Sequence, residues 1–204
     1  MNGLLLVDKP AGMTSHDVVD WVRRRFAMRR VGHGGTLDPA ATGLLILLLG
    51  QATRYARHLL SADKTYLSTL FLGQTTDTQD AEGRVLETKP VGNLSPEQIE
   101  AACARFRGEI DQEVPAYSAV RVQGKRFYDL ARAGQAVPRR VRKVRVHHLK
   151  VLEIRLPEVD LEVTCSSGTY VRTLCADLGA ALGCGGHLKR LCRTQVGPFA
   201  LQQS

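Results

Sequence analysis

GHGGTLDPAATGLLILLLG, residues 32–50, joins a glycine-rich turn to an unbroken apolar run. Its one acid, Asp38, follows Gly32, Gly34 and Gly35 and stands directly before Pro39. Asp-Pro favours a turn, and the glycines let the backbone approach something closely. GLLILLL (43–49) falls far short of the roughly 20 residues that span a bilayer, and reads as a buried strand. Just upstream, RRRFAMRR (23–30) carries five arginines in eight residues. A lone carboxylate in a rigid turn beside that much positive charge asks for a chemical reason.

Outward from this stretch the elements mix. NGLLLVDKP (2–10) predicts a strand ending at a proline turn, and Val18, Val19, Val22 and Phe26 recur at helical spacing over 15–27, with Thr14 or Ser15 as N-cap. A short helix is expected over 51–60 and a strand over KTYLSTLFLG (64–73), which stops at glycine. SPEQIEAACARFRG (95–108) predicts a helix: Ser95 and Gln98 form a capping box, Pro96 takes the first turn and Gly108 follows the end. Residues 114–141 are polar, basic and turn-rich, with a short helix RFYDLARAG closed by Gly134. Strands near 142–156 and 158–165 precede a helix over 170–182 that Gly183 stops. Without a regular βαβ rhythm, this predicts an α+β fold with a large, mainly antiparallel sheet, in a single domain over 1–204.

Composition narrows the function. With 44% hydrophobic residues the 204-residue chain can bury a core, and no apolar run reaches membrane length. MNGLLLVDKPAGMTS lacks the parts of a signal peptide, so a cytoplasmic location is expected. Five cysteines (103, 165, 175, 184, 192) suit a reducing compartment, and Cys184, His187 and Cys192 lack a paired CxxC, so no metal is expected. The net charge of +8 is segregated: residues 121–155 hold eleven Lys or Arg against Asp129 and Glu153, while 77–113 hold nine acids. Such segregation fits nucleic acid, and equally a solvated basic face.

The glycine turn is neither a P-loop, since no GK[ST] follows, nor a dinucleotide fingerprint, since Leu37 stands where the third glycine belongs. No GxSxG occurs, and no cysteine has a histidine partner by sequence. Lone carboxylates do act at sugar carbons, and in a basic protein that suggests a nucleoside.

GHGGTLDPAATGLLILLLGQATRYA closely resembles the signature motif of the TruB family of tRNA pseudouridine synthases. The resemblance continues in LLLVDKPAGMTSHDVV, ADKTYLSTLFLGQTTDTQDAEG, VPAYSAVRVQGKRFYDLARAGQAVPRR, CSSGTYVRTLCADLG and RTQVGPF, in the family's order over nearly the whole chain. It implies a pseudouridine synthase fold, an RNA-contacting insertion over 114–141, and no cofactor. Members continue past GPF into a small RNA-binding domain of the PUA type. This sequence ends at Ser204, so that domain is expected to be absent, as a truncation or as a natural minimal form.

By the same resemblance Asp38 is the catalytic aspartate, which attacks C1′ or abstracts the 2′ proton, and Arg172 is the cation that keeps it ionised. Tyr66 matches the tyrosine that stacks on the target base and removes the C5 proton, and Tyr170 and Leu191 match positions lining the uracil pocket. His33 is implied to fill the space left by flipped bases, offsetting part of the few kcal/mol that flipping costs. Gly34 and Gly35 would let the loop pass close to RNA. Arg23–Arg25, Arg29, Arg30, Arg54 and the 121–145 segment would contact phosphates, and Asp80 would support the site through hydrogen bonds. Without the family, Tyr66 reads as a strand aromatic, Arg172 as a solvent-facing helix arginine, His33 as a loop histidine, Asp80 as a turn acid and Leu191 as merely apolar. The implied partner is the T-arm of tRNA, at the T-loop uridine numbered 55, bound by a monomer that requires no protein partner. An RNA-binding tRNA-folding chaperone and a guide-RNA-dependent synthase are the competing readings.

Overall fold

The computed structural model describes residues 1–118, 120–122 and 124–204. In chain order it contains β1 (Gly3–Lys9), α1 (Ser15–Arg25), β2 (Val31–His33), β3 (Thr42–Leu49), a 3₁₀ turn (Gly50–Tyr55), α2 (Ala56–Ser61), β4 (Lys64–Leu72), β5 (Gln74–Thr76), β6 (Val85–Thr88) and α3 (Pro96–Ala104). There follow β7 (Gly108–Glu113), β8 (Arg121–Val122), β9 (Lys125–Arg126), α4 (Phe127–Arg132), β10 (Val141–Arg155), β11 (Glu158–Cys165), α5 (Val171–Ala181), β12 (Gly186–Val196) and β13 (Phe199–Ala200). The expected insertion 114–141 includes Ala119 and Gln123, which lie outside the described residues, as do the side chains of Arg121, Lys125 and Arg126.

The main sheet runs β1-β3-β12-β4-β11-β10-β7, with β2 also on β3 and β13 on β12. Every pairing in it is antiparallel except β3 with β12. The mixed α+β architecture and mainly antiparallel sheet therefore match the expectation. β3 is apolar on both faces because both are covered. Leu45, Leu47 and Leu49 pack with Val18, Val19 and Val22 of α1, while Leu44, Ile46 and Leu48 pack with Leu59 and Val196. A larger core joins Leu70, Leu161 and Val163 of the sheet to Ile99 of α3 and Leu174 and Leu178 of α5.

Local signals hold at the helix starts. Thr14, not Ser15, caps α1 in a capping box with Asp17, and Ser95 and Gln98 cap α3 as expected. Several boundaries differ: α1 stops at Arg25, and the helix expected over 51–60 is a 3₁₀ turn followed by α2. α3 ends at Ala104, because Arg105, Phe106 and Arg107 donate to carbonyls three residues back and tighten the chain out of the helix. Gly108, at φ +92°, opens β7 instead of stopping the helix. β2, the β5–β6 hairpin, β7 and β12 are strands that the sequence reading did not mark.

β1 occupies one edge of β3 along residues 43–49. The other edge is shared, with Val31–His33 of β2 against its C-terminal half and Cys192–Arg193 of β12 against Thr42 and Gly43. The 34–41 loop between β2 and β3 is thereby held at the point where those two partners meet.

Candidate active site

The Asp38 loop is fixed by buried groups around it. Ser15, buried under the loop, donates its hydroxyl to the Leu37 carbonyl at 3.1 Å and accepts from the Leu37 N–H at 2.8 Å. The Ala41 N–H donates to the Asp38 carbonyl at 3.1 Å, closing the Asp-Pro turn. Lys9, wholly buried, donates to the carbonyls of Pro10 (2.8 Å), Met13 (2.7 Å) and Pro39 (3.1 Å). Burial holds its pKa below the ordinary lysine value, against the opposing pull of Asp38.

The glycines in front of Asp38 serve the protein's own packing. A Cβ at Gly34 would fall 2.7 Å from Leu59, and Gly35, at φ +146°, would meet the Arg193 guanidinium at 3.5 Å. Both glycines are buried; at Gly34 the space of a side chain is taken by Leu59, and at Gly35 the positive φ favours glycine. That corrects the sequence reading at Gly34 and Gly35.

Arg172 projects from the first turn of α5 and is not solvent-facing; only 6% of it is exposed. Its Nε lies 3.1 Å from Asp38 Oδ2, and Nη1 donates to Asp80 Oδ2 (3.4 Å) and to the Thr78 carbonyl (3.2 Å). Nη2 donates to the Tyr117 carbonyl at 3.0 Å. One guanidinium thus spans four acceptors on three segments, a geometry suited to its planar fork. Asp80 is itself held, accepting from the Thr78 hydroxyl at 2.6 Å and the Glu82 N–H at 3.1 Å. Asp38, Asp80, Arg172 and Leu191 line one small cleft, with Ala40, Lys189 and Arg190. The cleft shares Ala40, Lys189, Arg190 and Leu191 with a cavity of about 630 Å³ that continues over Leu67, Leu152 and Asp160.

Tyr66 is almost buried in β4, and burial raises its phenol pKa to about 12, with Arg193 pulling the other way. The nearby Asp38 charge adds to the rise. His33, half-buried at the end of β2, has its pKa lowered first by burial and then by Arg193, which keeps the imidazole neutral at pH 7. Among the described residues its buried Nδ1 has no hydrogen-bond partner.

Tyr66, His33 and the remaining expected site residues are not among the side chains that line the cleft. Tyr170 is the N-cap residue of α5, with its ring under the Arg142 guanidinium at 5.3 Å. Its backbone exchanges two hydrogen bonds with the side chain of buried Gln112, at 2.7 and 3.0 Å. Arg54 is exposed on the 3₁₀ turn. Of the upstream arginines, Arg23 is committed to Asp20 and the Val31 carbonyl, both at 3.0 Å, and Arg30 donates to Thr53 at 2.7 Å. Arg24, Arg25 and Arg29 are exposed. Further on, Arg139 and Arg145 are drawn to Glu113 and Glu109.

Sequence reasoning passed over Lys9, Lys64, Gln112 and Arg193. Lys64 donates to the carbonyls of Leu59 (3.1 Å), Leu60 (2.7 Å) and Ala62 (2.6 Å), and burial lowers its pKa to about 8. Each is a polar residue in a stretch that otherwise reads plainly, and only packing shows that it points inward.

Residues 23–171 match the family described as TruB family pseudouridylate synthase (N terminal domain), and residues 172–204 match the tRNA pseudouridylate synthase B C-terminal domain. The tRNA pseudouridine synthase B of Mycobacterium sp. strain KMS is 52% identical over 206 residues, covering 99% of this chain and 69% of that protein. That of Syntrophotalea carbinolica is 47% identical over 204 residues, covering 100% and 67%. Among solved structures, a Cbf5-Nop10-Gar1 complex aligns at TM-score 0.77 and 35% identity, over 97% of this chain and 50% of that one. A pseudouridylate synthase crystal structure, at 19% identity and TM-score 0.53, shares the fold.

Proposed function

The chain belongs to the TruB family of pseudouridylate synthases, and from that premise we propose that it isomerises uridine 55 in the T-loop of tRNA to pseudouridine. The observation that carries the reading is the Asp38–Arg172–Asp80 network at one end of a cleft. Asp38 is 44% exposed while Arg172 behind it is buried, so the carboxylate faces outward with its cation fixed. The reaction breaks N1–C1′, joins C5 to C1′, releases the C5 proton and protonates N1, with no change of oxidation state. Asp38 attacks C1′ or takes the 2′ proton, and either route uses an ionised carboxylate. A neutral His33 offers a flat face to stack where the extruded base had been.

The cavity beyond Leu191 is proposed to receive the strand flanking the target, with Leu67, Leu152, Lys189 and Arg190 among its lining. Residues 1–204 are read as one catalytic unit, acting in the cytoplasm as a monomer without a protein partner. Support for one unit comes from β12, which lies between β3 and β4 of the same sheet. The Cbf5 neighbour is solved with Nop10 and Gar1, so the guide-dependent alternative is tested directly. Tritium release from C5-labelled uridine in a bare tRNA transcript supports the stand-alone enzyme. Tight binding with no release supports the chaperone, and release only with added partners supports the guide-dependent reading.

Tyr66 gives a sharper test. A phenol with a pKa of about 12 starts the reaction protonated, a poor state for a base. Tyr66→Phe is therefore expected to bind tRNA normally and to slow turnover roughly 10–100-fold, below the upper range of general-base contributions. Tyr66→Ala should weaken binding as well, because stacking on the base goes with the ring. A loss in Tyr66→Phe on the order of 10⁴-fold would assign the C5 proton to the hydroxyl after all. Unchanged turnover would remove the hydroxyl from the chemistry.

The exposed arginines predict a salt effect. Replacing Arg24, Arg25, Arg29 and Arg54 by serine should flatten the log–log salt dependence of tRNA affinity by about 0.7–0.9 for each phosphate that is no longer neutralised. Arg23→Ser should instead lower stability, because Arg23 is held by Asp20 and Val31. An unchanged slope in the quadruple variant would place the RNA on another face.

A further inference from the structure

Arg193 of β12 is 2% exposed, yet among the described residues it is paired with carbonyls and with no carboxylate. Nε donates to the Leu44 carbonyl at 2.8 Å, Nη1 to Thr36 at 3.3 Å and Nη2 to Gly35 at 3.1 Å. Gly35 and Thr36 stand immediately before Leu37 and Asp38, and Leu44 begins the buried run of β3. The backbone of Arg193 is equally constrained, since a Cβ at Gly43 would fall 2.3 Å from the Arg193 carbonyl oxygen. Across the sheet Arg193 is registered with Tyr66, and its guanidinium faces the phenol. Lys9, Lys64 and His33 also face it, so the charge sits among like or neutral groups.

A buried guanidinium without a carboxylate is a costly way to fill space, and an apolar side chain would do so more cheaply. The geometry instead matches a strut. Two donors hold the loop ahead of Asp38, a third ties the guanidinium to β3, and the same group approaches the phenol of Tyr66. Lysine could not span the three carbonyls and the phenol at once.

We propose that Arg193 is a positioning residue that locks the catalytic loop and the Tyr66 hydroxyl into one register, so that the carboxylate and the ring meet the same nucleotide. The proposal rests on the reading of the site given above and deepens it. Arg193 touches no reacting atom; it acts through Asp38 and Tyr66.

The test combines a rate and a spectrum. Arg193→Lys, with Arg193→Gln as a second variant, should bind tRNA as wild type but lose roughly 100-fold in single-turnover rate at saturating RNA, the scale of a small misplacement of reacting groups. In a Tyr66→Phe background the same change should cost less than about 10-fold, because one of the two coupled groups is already gone. In protein carrying ¹³Cζ-labelled tyrosine, the Tyr66 resonance should move in Arg193→Lys while that of Tyr55 stays. Equal losses in both backgrounds, or an unmoved Tyr66 resonance, would overturn the proposal. So would loss of folding in both variants, which would assign Arg193 to stability alone. The resonance is read without turnover, so a wild-type chain inactive on tRNA would refute the functional reading while the spectrum still decides the coupling.

Discussion

Asp38→Asn is expected to fold, to bind tRNA within about threefold of wild type, and to release no tritium above background. Asparagine is nearly isosteric, and Asp38 is 44% exposed, so its attraction to Arg172 is partly screened and its removal costs little stability. The turn survives, because the Ala41 N–H bonds the backbone of residue 38 and not its side chain. Arg172 keeps Asp80 and the carbonyls of Thr78 and Tyr117. What disappears is the negative oxygen at the mouth of the cleft. An amide neither attacks C1′ nor accepts the 2′ proton, so both routes fail together, with a loss of roughly 10⁴-fold or more, the scale of deleting a reacting group. Filter binding and tritium release on the same preparation separate affinity from chemistry. Turnover near the wild-type level would mean that another group does the work, and the reading of the cleft would be abandoned.

Much of the fold is legible in the sequence, for physical reasons that also mark where legibility stops. α1 announces itself by 3.6-residue spacing and α3 by its capping box, both local signals; the structure forms a capping box at each. β3 is legible because both of its faces are covered, which leaves an uninterrupted apolar run. β12 lies centrally in the same sheet and escapes a pattern reading. Its pairing with β4 shifts register between Leu188 and Arg190 and again between Arg193 and Gln195. Each bulge resets the alternation that a strand reading depends on. The strand also carries His187 and Arg193, both buried, where a pattern reader expects apolar residues.

The site divides along the same line. Asp38 stands out as a lone acid in a basic, glycine-rich turn, while Arg172 and Asp80 become meaningful through the family motifs. The glycines mislead because sequence shows that a Cβ is missing but not what fills the space. At Gly34 Leu59 fills it, from a helix about 25 residues further along the chain. Lys9 is hidden for a similar reason. Its three acceptors are backbone carbonyls, which leave no mark in the sequence.

Arg172→Lys is expected to be nearly as damaging to turnover as the loss of Asp38, and more damaging to the fold. The guanidinium satisfies Asp38, Asp80, the Thr78 carbonyl and the Tyr117 carbonyl at once, from a side chain only 7% exposed. An ammonium on a shorter stem keeps the charge but lacks the fork, so at least one buried acceptor goes unmet at a cost of about 1–3 kcal/mol. At roughly 2–4 °C of melting temperature per kcal/mol for a chain of this size, that is a visible shift in a thermal scan. Turnover should fall roughly 10³-fold, since Asp38 loses its tether and the Tyr117 segment loses its link to α5. Asp80→Asn distinguishes tether from charge. It keeps an acceptor for Nη1 and removes one negative group, so it should cost only about 10-fold in rate and little in stability. If Arg172→Lys retains most activity while its melting temperature falls, the guanidinium is a structural clamp and Asp38 is oriented by its own turn. If both variants lose rate equally with unchanged melting temperatures, the two acids and the arginine act as one electrostatic unit. The order expected from this geometry, with lysine far worse than asparagine, follows from counting what each substitution leaves unbonded.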